Sequence, residues 1–346
     1  MPVISIIIPV YNGGKYIQRC LNSIVSQDFS DYELLIIDDG STDSSGEICN
    51  YYASKYDNVE VVHIPNGGVS NARNLGMSSV DGEYIMFVDA DDELMENALI
   101  KVSDRIKKDN KPDLLIFDNC VKYVDGSVCY PHKNVSIDKV YTSNELYEGY
   151  LQARIGTSFP APWGRVYRAD IIKEFNLRFD SKLRRNEDEV FNCNFLSLIK
   201  TLSLSSDVLY VYYNTPNSAV SIFYGYEIEY NIMATANANR KLVLKLTNGN
   251  EKKSHLHYEN VVAHLLNLHI CILYANSVKN KKKWLKYIVD IGENLLSDDF
   301  HSALLRNGKF RAKFVALFYK QIFVLHMFEL LFQLVYKVRW KLRFKN

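Results

Sequence analysis

The sequence has little glycine and proline and no pattern of paired cysteines. Its 346 residues include only 16 Gly and 8 Pro, too few for a collagen-like or low-complexity chain. Hydrophobic residues make up 47% and charged residues 23%, which excludes an intrinsically disordered protein. The six cysteines form no CxxC pair and have no histidine at zinc-finger spacing. Neither a disulfide framework nor a structural zinc site is therefore predicted.

An excess of charge of one sign is also missing from the chain as a whole. The formal net charge of +1 argues against nucleic acid as a partner. The N-terminus lacks a basic segment followed by a cleavable apolar run, which predicts no secretory signal and a reduced, cytoplasmic chain. Residues 306–346 are the exception, because they carry many cations and a single acid, Glu329. This basic end favours an anionic partner.

The first 120 residues alternate short apolar runs with segments of helical spacing. The intervening segments predict helices, one of them running from near Asp92 to about Lys108. Strands alternating with helices predict an α/β fold with a mainly parallel sheet flanked by helices. The apolar runs, each bounded by turn residues, predict buried strands at 3–9, 32–38, 59–64, 84–89 and 114–118.

The remainder of the chain changes character twice. Residues 120–130 predict a hairpin, and residues 202–213 predict a pair of short strands. After about Tyr226 the pattern is helical. Because 346 residues exceed what one hydrophobic core usually supports, we predict two domains, residues 1–222 and a helical C-terminal region at 223–346.

Polar and aromatic residues follow the first two predicted strands. Ligands of a parallel sheet bind at the carboxyl ends of its strands. Tyr11 after the first strand can stack on a planar base, although Asn12 capping the next helix is the alternative explanation of this turn. Asp38 and Asp39 after the second strand can accept hydrogen bonds from a base or a ribose. Asp43 is predicted to cap the helix that follows.

The next two strands are followed by groups suited to an anion and a cation. A glycine pair at 67–68 and a helix start can approach a phosphate, and Arg73 in that first turn would be stabilised by an anionic ligand. Asp89 and Asp91 form an oxygen-rich site for a hard divalent cation, while Asp92 is an alternative cap of the next helix. One crevice could therefore hold a base, a ribose, a diphosphate and a metal.

Four motifs together resemble the family 2 inverting glycosyltransferases with the GT-A fold. They are SIIIPVYN from Ser5, DDGSTD from Asp38, GVSNARN from Gly68 and FVDADD from Phe87. The resemblance covers roughly residues 1–220 and implies a UDP-sugar donor, with Mn²⁺ or Mg²⁺ as cofactor. The first domain would then be the nucleotide-sugar-binding and catalytic domain.

The resemblance carries over to individual positions. Tyr11 and Asp39 match the uracil contacts, and Asp91 matches the direct metal ligand with Asp89 beside it. The implied donor site comprises residues of all four motifs: Pro9, Tyr11, Asp38, Asp39, Arg73, Asp89 and Ala90.

An inverting transferase also needs a base that deprotonates the acceptor hydroxyl. Residues 186–191 supply carboxylates where a helix should begin, and from the residues alone acids favoured by the helix dipole are the better explanation. The resemblance instead implies that Asp188 is the base and Glu187 its supporting group. Three further residues are assigned to the acceptor side, with solvated cations as the alternative for the arginines: Trp163, Arg184 and Arg185.

The C-terminal third resembles no family. Residues 314–338 are apolar, but Lys320 and Glu329 interrupt them at a cost of roughly 2.5–3.5 kcal/mol for a charge at a membrane centre. A basic, aromatic helix at a membrane surface or on a partner is predicted, which would make the protein peripheral at the inner face of the cell membrane. An ordinary helical subdomain and a homo-oligomer formed through this tail are the alternatives.

The predicted function is sugar transfer from a UDP-sugar to a hydroxyl of a growing, lipid-linked bacterial surface polysaccharide, such as capsule, lipopolysaccharide or exopolysaccharide. One alternative is a polyprenyl-phosphate sugar transferase, which would charge a lipid carrier directly. Another is a non-catalytic nucleotide-sugar-binding subunit of an assembly complex.

Overall fold

The computed structural model describes residues 2–132, 137–214, 225, 227–275 and 278–296. The strands are β1 Ile4–Val10, β2 Tyr32–Asp38, β3 Val59–His63, β4 Tyr84–Phe87, β5 Glu93–Leu94, β6 Leu114–Tyr123, β7 Val128–Cys129, β8 Lys139–Thr142, β9 Arg165–Arg168 and β10 Thr201–Asn214. The helices are α1 Ile17–Val25, α2 Ser45–Lys55, α3 Val69–Ser79, α4 Ala98–Lys108, α5 Leu146–Gly156, α6 Ala169–Glu174, α7 Glu187–Leu196, α8 Ile228–Leu246, α9 Glu251–Ala275 and α10 Lys281–Leu295.

The described strands form one ten-stranded sheet in the order β3-β2-β1-β4-β9-β6-β10-β5, with β7 on β6 and β8 on β10. β1 pairs in parallel with β2 and β4, β2 with β3, and β6 with β10. All seven residues of β1 are buried, as expected of a central strand covered on both faces. The α/β prediction with a mainly parallel sheet is confirmed.

Strand β9 breaks the parallel order and decides which strand ends meet. It runs antiparallel to β4 on one side and to β6 on the other. Two strands that are both antiparallel to a third run in the same direction, so β6 is parallel to β4. The carboxyl ends of β1, β2, β4 and β6 therefore lie at one edge of the sheet.

Two predicted elements are wrong in detail because pairing between distant segments outweighs local pattern. The helix predicted from near Asp92 begins only at Ala98, since residues 93–94 form β5 and pair with β10. Residues 202–213 are one strand instead of two. Its pairing with β6 shifts between Leu204 and Val208, and such a bulge lets a strand continue past an irregular stretch.

Helices α9 and α10 and the first part of α8 form a second compact unit with its own core. Its core is apolar and lies between the helices: Ile228, Ile232, Val262, Leu266, Leu285 and Ile288. Within the part of the chain that the structure describes, no helix combines the length and the hydropathy needed to cross a membrane. The predicted boundary at 222/223 and the tail at 306–346 lie outside the described residues and stay predictions.

Candidate active site

The edge formed by the carboxyl ends of β1, β2 and β4 carries the predicted donor residues. Pro9 is buried in β1, and the Tyr11 side chain just beyond it is 55% exposed. Ala90 is half-buried between the two aspartates that follow β4. An exposed aromatic ring at a sheet edge offers a face on which a planar base can stack.

The turn after β1 is held by the loop after β2. Asn12 has a left-handed backbone, with φ 49°, and its side-chain oxygen accepts a hydrogen bond from the backbone N–H of Thr42 at 2.8 Å. Asn12 therefore does not cap α1, and that alternative is wrong. Asp43 accepts hydrogen bonds from the backbone N–H of Gly14 and of Ser45, the first residue of α2. Asp43 thus bonds the start of α2 from the residue before the N-cap, which is Ser44, so the prediction that Asp43 is itself the cap is wrong by one position.

The two aspartates at the end of β2, Asp38 and Asp39, are both buried and both bonded within the protein. The Asp39 carboxylate accepts from the backbone N–H groups of Gly67 at 2.7 Å and Gly68 at 2.8 Å. The Asp38 carboxylate lies 2.7 Å from Nδ1 of His63. Hydrogen bonds of this kind compensate the cost of burying adjacent carboxylates. Asp39 thereby fixes the glycine loop before α3 against the end of β2.

Arg73 joins two motifs that are far apart in sequence. Its buried guanidinium donates to Asp89 Oδ1 at 3.0 Å and to Glu187 Oε1 at 3.3 Å. Burial alone would lower the pKa of Arg73, but the two carboxylates outweigh it and raise that pKa. The cation predicted to need an anionic ligand near the start of α3 is thus balanced by carboxylates of the protein itself.

Asp188 lies in the first turn of α7, next to this ion-pair cluster. Its Oδ1 accepts the backbone N–H of Glu189 at 2.8 Å. Burial and the neighbouring Glu187 raise the pKa of Asp188 to about 8, although Arg73 opposes the shift. A carboxyl that titrates near neutral pH is suited to take a proton during a reaction.

Asp92 anchors the loop that presents Asp89 and Asp91. It is fully buried and accepts hydrogen bonds from the Tyr210 hydroxyl at 2.7 Å and from the backbone N–H of Tyr213 at 2.8 Å. The same hydroxyl accepts the backbone N–H of Asp89 at 3.1 Å. Burial, reinforced by Asp89 and Asp91, raises the pKa of Asp92. The alternative in which Asp92 caps the next helix is wrong, because its carboxyl binds β10.

Comparison with known proteins identifies the family. Residues 5–175 match the sequence profile of the family described as Glycosyl transferase family 2. These residues form a domain of this family. Over 226 residues it is 32% identical to the glycosyltransferase EpsJ of Bacillus subtilis strain 168, a match covering 65% of this chain and 64% of EpsJ.

A further relative of this family 2 domain is named for poly(ribitol phosphate). A poly(ribitol-phosphate) beta-glucosyltransferase of Bacillus spizizenii is 33% identical over 217 residues, which cover 60% of this chain and 32% of that protein. The matches thus span less than two thirds of the length of EpsJ and of this enzyme. The crystal structure of Staphylococcus aureus TarS 1–349 with UDP-GlcNAc matches at a TM-score of 0.65 and 22% identity, over 94% of this chain and 89% of that one. This likeness confirms the GT-A fold.

The loop of the family 2 domain that carries Trp163 is organised by buried polar groups that the sequence did not indicate. Arg165 is almost fully buried, and its guanidinium donates to the carbonyls of Phe159, Ala161 and Trp163. Asn192 of α7 donates to the carbonyls of Phe159 and Ala161 at 3.2 and 3.1 Å. Because Asn192 lies on the helix that begins at Glu187, this loop is held against the helix of the predicted base.

The predicted acceptor residues differ in burial. The Trp163 ring is 8% exposed and stacks on Tyr210 at 4.7 Å between ring centroids and on Tyr212 at 5.5 Å. Arg184 is exposed and Arg185 is buried, both just before α7. Their roles toward an acceptor stay predictions.

Arg19 of α1 is a further group at the site that sequence reasoning missed. Its guanidinium donates to the backbone carbonyl of Asp91 at 2.5 Å and lies 3.0 Å from the Glu93 carboxylate. Its carbon Cζ stands 3.5 Å from the centroid of the Tyr213 ring. Arg19 therefore ties the loop after β4 to α1 and β10. No local signal could reveal it, since Arg19 reads as an ordinary polar position of an amphipathic helix.

Replacing Tyr210 by Phe tests the anchoring of this loop. The variant leaves the buried Asp92 carboxyl without one donor and the Asp89 N–H without an acceptor, which we expect to lower the free energy of unfolding by about 1–3 kcal/mol. A urea titration followed by tryptophan fluorescence measures the change. The matched control is Tyr123→Phe, since Tyr123 is 39% exposed. Equal unfolding midpoints for the two variants would contradict the anchoring role.

Proposed function

We propose that this chain is an inverting glycosyltransferase that moves a sugar from a UDP-sugar to a hydroxyl of a bacterial surface polymer. One observation carries the proposal. Arg73 bonds both Asp89, in the motif predicted to hold the metal ion of the diphosphate, and Glu187, the neighbour of the predicted base Asp188. An inverting reaction needs a leaving diphosphate and a base around one sugar carbon, and this ion-pair cluster brings the two motifs to one place.

In the proposed reaction Asp188 removes the proton of the acceptor hydroxyl as its oxygen attacks the anomeric carbon. A new carbon–oxygen bond forms on one face of the sugar. On the opposite face the bond to the diphosphate breaks, and its electron pair leaves with UDP. The raised pKa of Asp188 supports this role, because a weakly acidic carboxyl is a better proton acceptor than an ordinary one.

The donor half of the proposal depends on Tyr11, Asp39 and the glycine loop before α3. The exposed Tyr11 ring is suited to stack on uracil, and Asp39 holds the loop that would approach the phosphates. TarS, which has the same fold, was crystallised with UDP-GlcNAc, which supports a UDP-sugar for this chain.

A divalent cation fits the carboxylates that follow β4. The described residues contain no group of three or more His, Cys, Asp or Glu that could hold a metal ion alone. Mg²⁺, however, is commonly held by one or two carboxylates together with substrate phosphates and water. Asp91 and Asp89 meet that need, and Mn²⁺ or Mg²⁺ bound there would balance the charge of the leaving diphosphate.

For the acceptor we propose a polyol or sugar hydroxyl of a surface polymer. Two relatives are named for such a polymer. One is the poly(ribitol-phosphate) beta-glucosyltransferase, and the other is TarS, a poly(ribitol-phosphate) beta-N-acetylglucosaminyltransferase. The cluster around Arg73 and Asp188 favours an enzyme over a non-catalytic subunit. A lipid-linked acceptor and a membrane-bound tail stay predictions, since the tail lies outside the described residues.

The proposal predicts metal-dependent nucleotide release from UDP-sugars. The full chain is incubated with Mn²⁺, poly(ribitol phosphate) or a neutral oligosaccharide, and in turn UDP-GlcNAc, UDP-glucose and GDP-mannose. We expect release of UDP that an acceptor stimulates, and loss of about 99% of the rate in excess EDTA, since a metal supplies several kcal/mol of charge stabilisation. Nucleotide release from GDP-mannose but from neither UDP-sugar would contradict the proposal. An undiminished rate in EDTA would contradict it as well.

A further inference from the structure

A histidine–aspartate pair, His132 and Asp118, lies beside residues 158–164, which we call the Trp163 loop. Neither side chain has a role in the reaction proposed above. β7 folds back on β6 as a hairpin in which Val121 lies opposite Cys129. Extending this antiparallel register by three residues brings His132 opposite Asp118. The two side chains meet there, with Nδ1 of His132 2.7 Å from Oδ1 of Asp118. The hairpin register thus accounts for the pair.

The pair lies between β7 and the start of β9, which are both neighbours of β6. β10 pairs with β6 along almost its whole length, so β7 and β9 share the other edge of β6. The carbonyl of Gly164, just before β9, accepts the backbone N–H of Phe117 at 3.0 Å, and Asp118 is the next residue. Asn119 accepts a hydrogen bond from the Ser158 hydroxyl at 2.9 Å. Both ends of the loop at 158–164 therefore touch the segment that carries Asp118.

Asp118 lies at the same position along the strand direction as the loop after β4. Tyr167 of β9 is opposite both Ile85 of β4 and Leu114 of β6. Asp89 comes four residues after Ile85, and Asp118 comes four residues after Leu114. Because β4 and β6 run in the same direction, the histidine pair lies at the sheet edge where the proposed donor site begins.

The contact with Asp118 determines which further hydrogen bond the His132 imidazole can form. In the neutral ring a carboxylate takes the proton-bearing Nδ1 and leaves Nε2 as a hydrogen-bond acceptor. The side chain of Asp118 is 8% exposed and that of His132 is 14% exposed. Both side chains are therefore largely but not completely buried. Among the described residues the His132 side chain bonds only Asp118, through Nδ1. Its 14% exposed side chain therefore keeps Nε2 as the ring atom that can accept a further hydrogen bond.

We infer that His132, oriented by Asp118, is an acceptor-binding residue of the proposed transferase. Its Nε2 accepts a hydrogen bond from a second hydroxyl of the acceptor, next to the hydroxyl that Asp188 deprotonates. The ligand class is a compound with neighbouring hydroxyl groups, a polyol or a sugar. This inference depends on the proposed function, because it assumes that an acceptor enters between the Trp163 loop and the loop after β4.

The decisive variant is His132→Asn. The asparagine amide can still donate to Asp118 from the position of Nδ1, so the hairpin stays in place while Nε2 is lost. With UDP-GlcNAc and either poly(ribitol phosphate) or a neutral oligosaccharide, we expect the acceptor KM to rise about tenfold, as for loss of one hydrogen bond. UDP release to water without acceptor should stay within about twofold. His132→Gln, whose amide oxygen reaches the position of Nε2, should recover part of the loss.

The matched control is His264→Asn. His264 is exposed on α9, so this variant should leave both the acceptor KM and UDP release to water unchanged. An unchanged acceptor KM in His132→Asn would overturn the inference. An equal fall in UDP release to water would also overturn it, since that result indicates a general structural role. If the wild-type chain transfers sugar to neither probe, the proposed acceptor class is wrong and the inference falls with it. Normal transfer by both wild type and His132→Asn is a different outcome, because it overturns the inference about His132 and leaves the proposed acceptor class in place.

Discussion

Replacing Asp188 by Asn should remove sugar transfer and leave UDP bound. Asparagine has nearly the same shape but cannot take the proton of the acceptor hydroxyl, and loss of a general base usually costs about 10²–10⁴ in rate. Turnover of UDP-GlcNAc with acceptor measures the first effect, and calorimetric titration with UDP measures the second. The pH dependence should agree: kcat/KM of the wild type should rise with pH up to about 8, where the Asp188 carboxyl becomes ionised.

The matched control for this variant is Asp170→Asn. Asp170 also lies in the first turn of a helix, α6, but is exposed, so its loss should not change turnover. Wild-type turnover in Asp188→Asn would contradict the base assignment. Loss of UDP binding in the same variant would contradict it as well, because it would place Asp188 in the donor site.

The same variant should be more stable than the wild type at neutral pH. The folded-state pKa of Asp188 is raised above its ordinary value, so the folded protein binds an extra proton between about pH 4 and pH 8. Stability from this group is present below that window and is lost as the pH rises through it. The melting temperature of Asp188→Asn minus that of the wild type should therefore increase from pH 5 to pH 8.

Replacing Asp91 by Asn should remove most of the metal-dependent activity. The amide lacks the charge that the proposed cation needs, and metal ions contribute several kcal/mol to such reactions, so we expect a loss of at least about a hundredfold. The rate of UDP release is measured against Mn²⁺ concentration. A second readout is the gain in UDP affinity that Mn²⁺ produces in the wild type, which calorimetry should find strongly reduced in the variant.

Asp104→Asn on the exposed face of α4 is the control for Asp91→Asn. It makes the same chemical change away from the site and should retain the wild-type response to Mn²⁺. If Asp91→Asn also kept that response, with unchanged UDP affinity and rate, Asp91 would not be a metal ligand.

Much of the α/β domain could be predicted because its strands are short apolar runs between turn residues. The prediction for β2, residues 32–38, coincides with the observed strand; that for β1 is shifted by one residue, and that for β3 is one residue too long. Prediction failed where pairing with a distant strand outweighed local pattern. Residues 93–94 are an example, because they pair with β10 instead of beginning a helix.

The candidate site was foreseen in part. Order along the chain indicated that residues after β1, β2 and β4 would meet, since parallel strands end at one edge. It gave no information about which charged side chains would bond. Asp38, Asp39 and Arg73 were assigned to the nucleotide, and those assignments stay predictions. The structure adds that all three side chains are already bonded within the protein.

Local pattern alone was sufficient to locate β1, β2, β3, β4 and β6, the mainly parallel sheet and the edge at which the motifs converge, because apolar periodicity and turn residues act over a few positions. Tertiary structure alone decided that Arg73 bonds Glu187, which is 114 residues away, and that His132 meets Asp118. Such contacts depend on strand order, register and helix placement. Those features are set by packing of the whole domain, so no short stretch of sequence contains them.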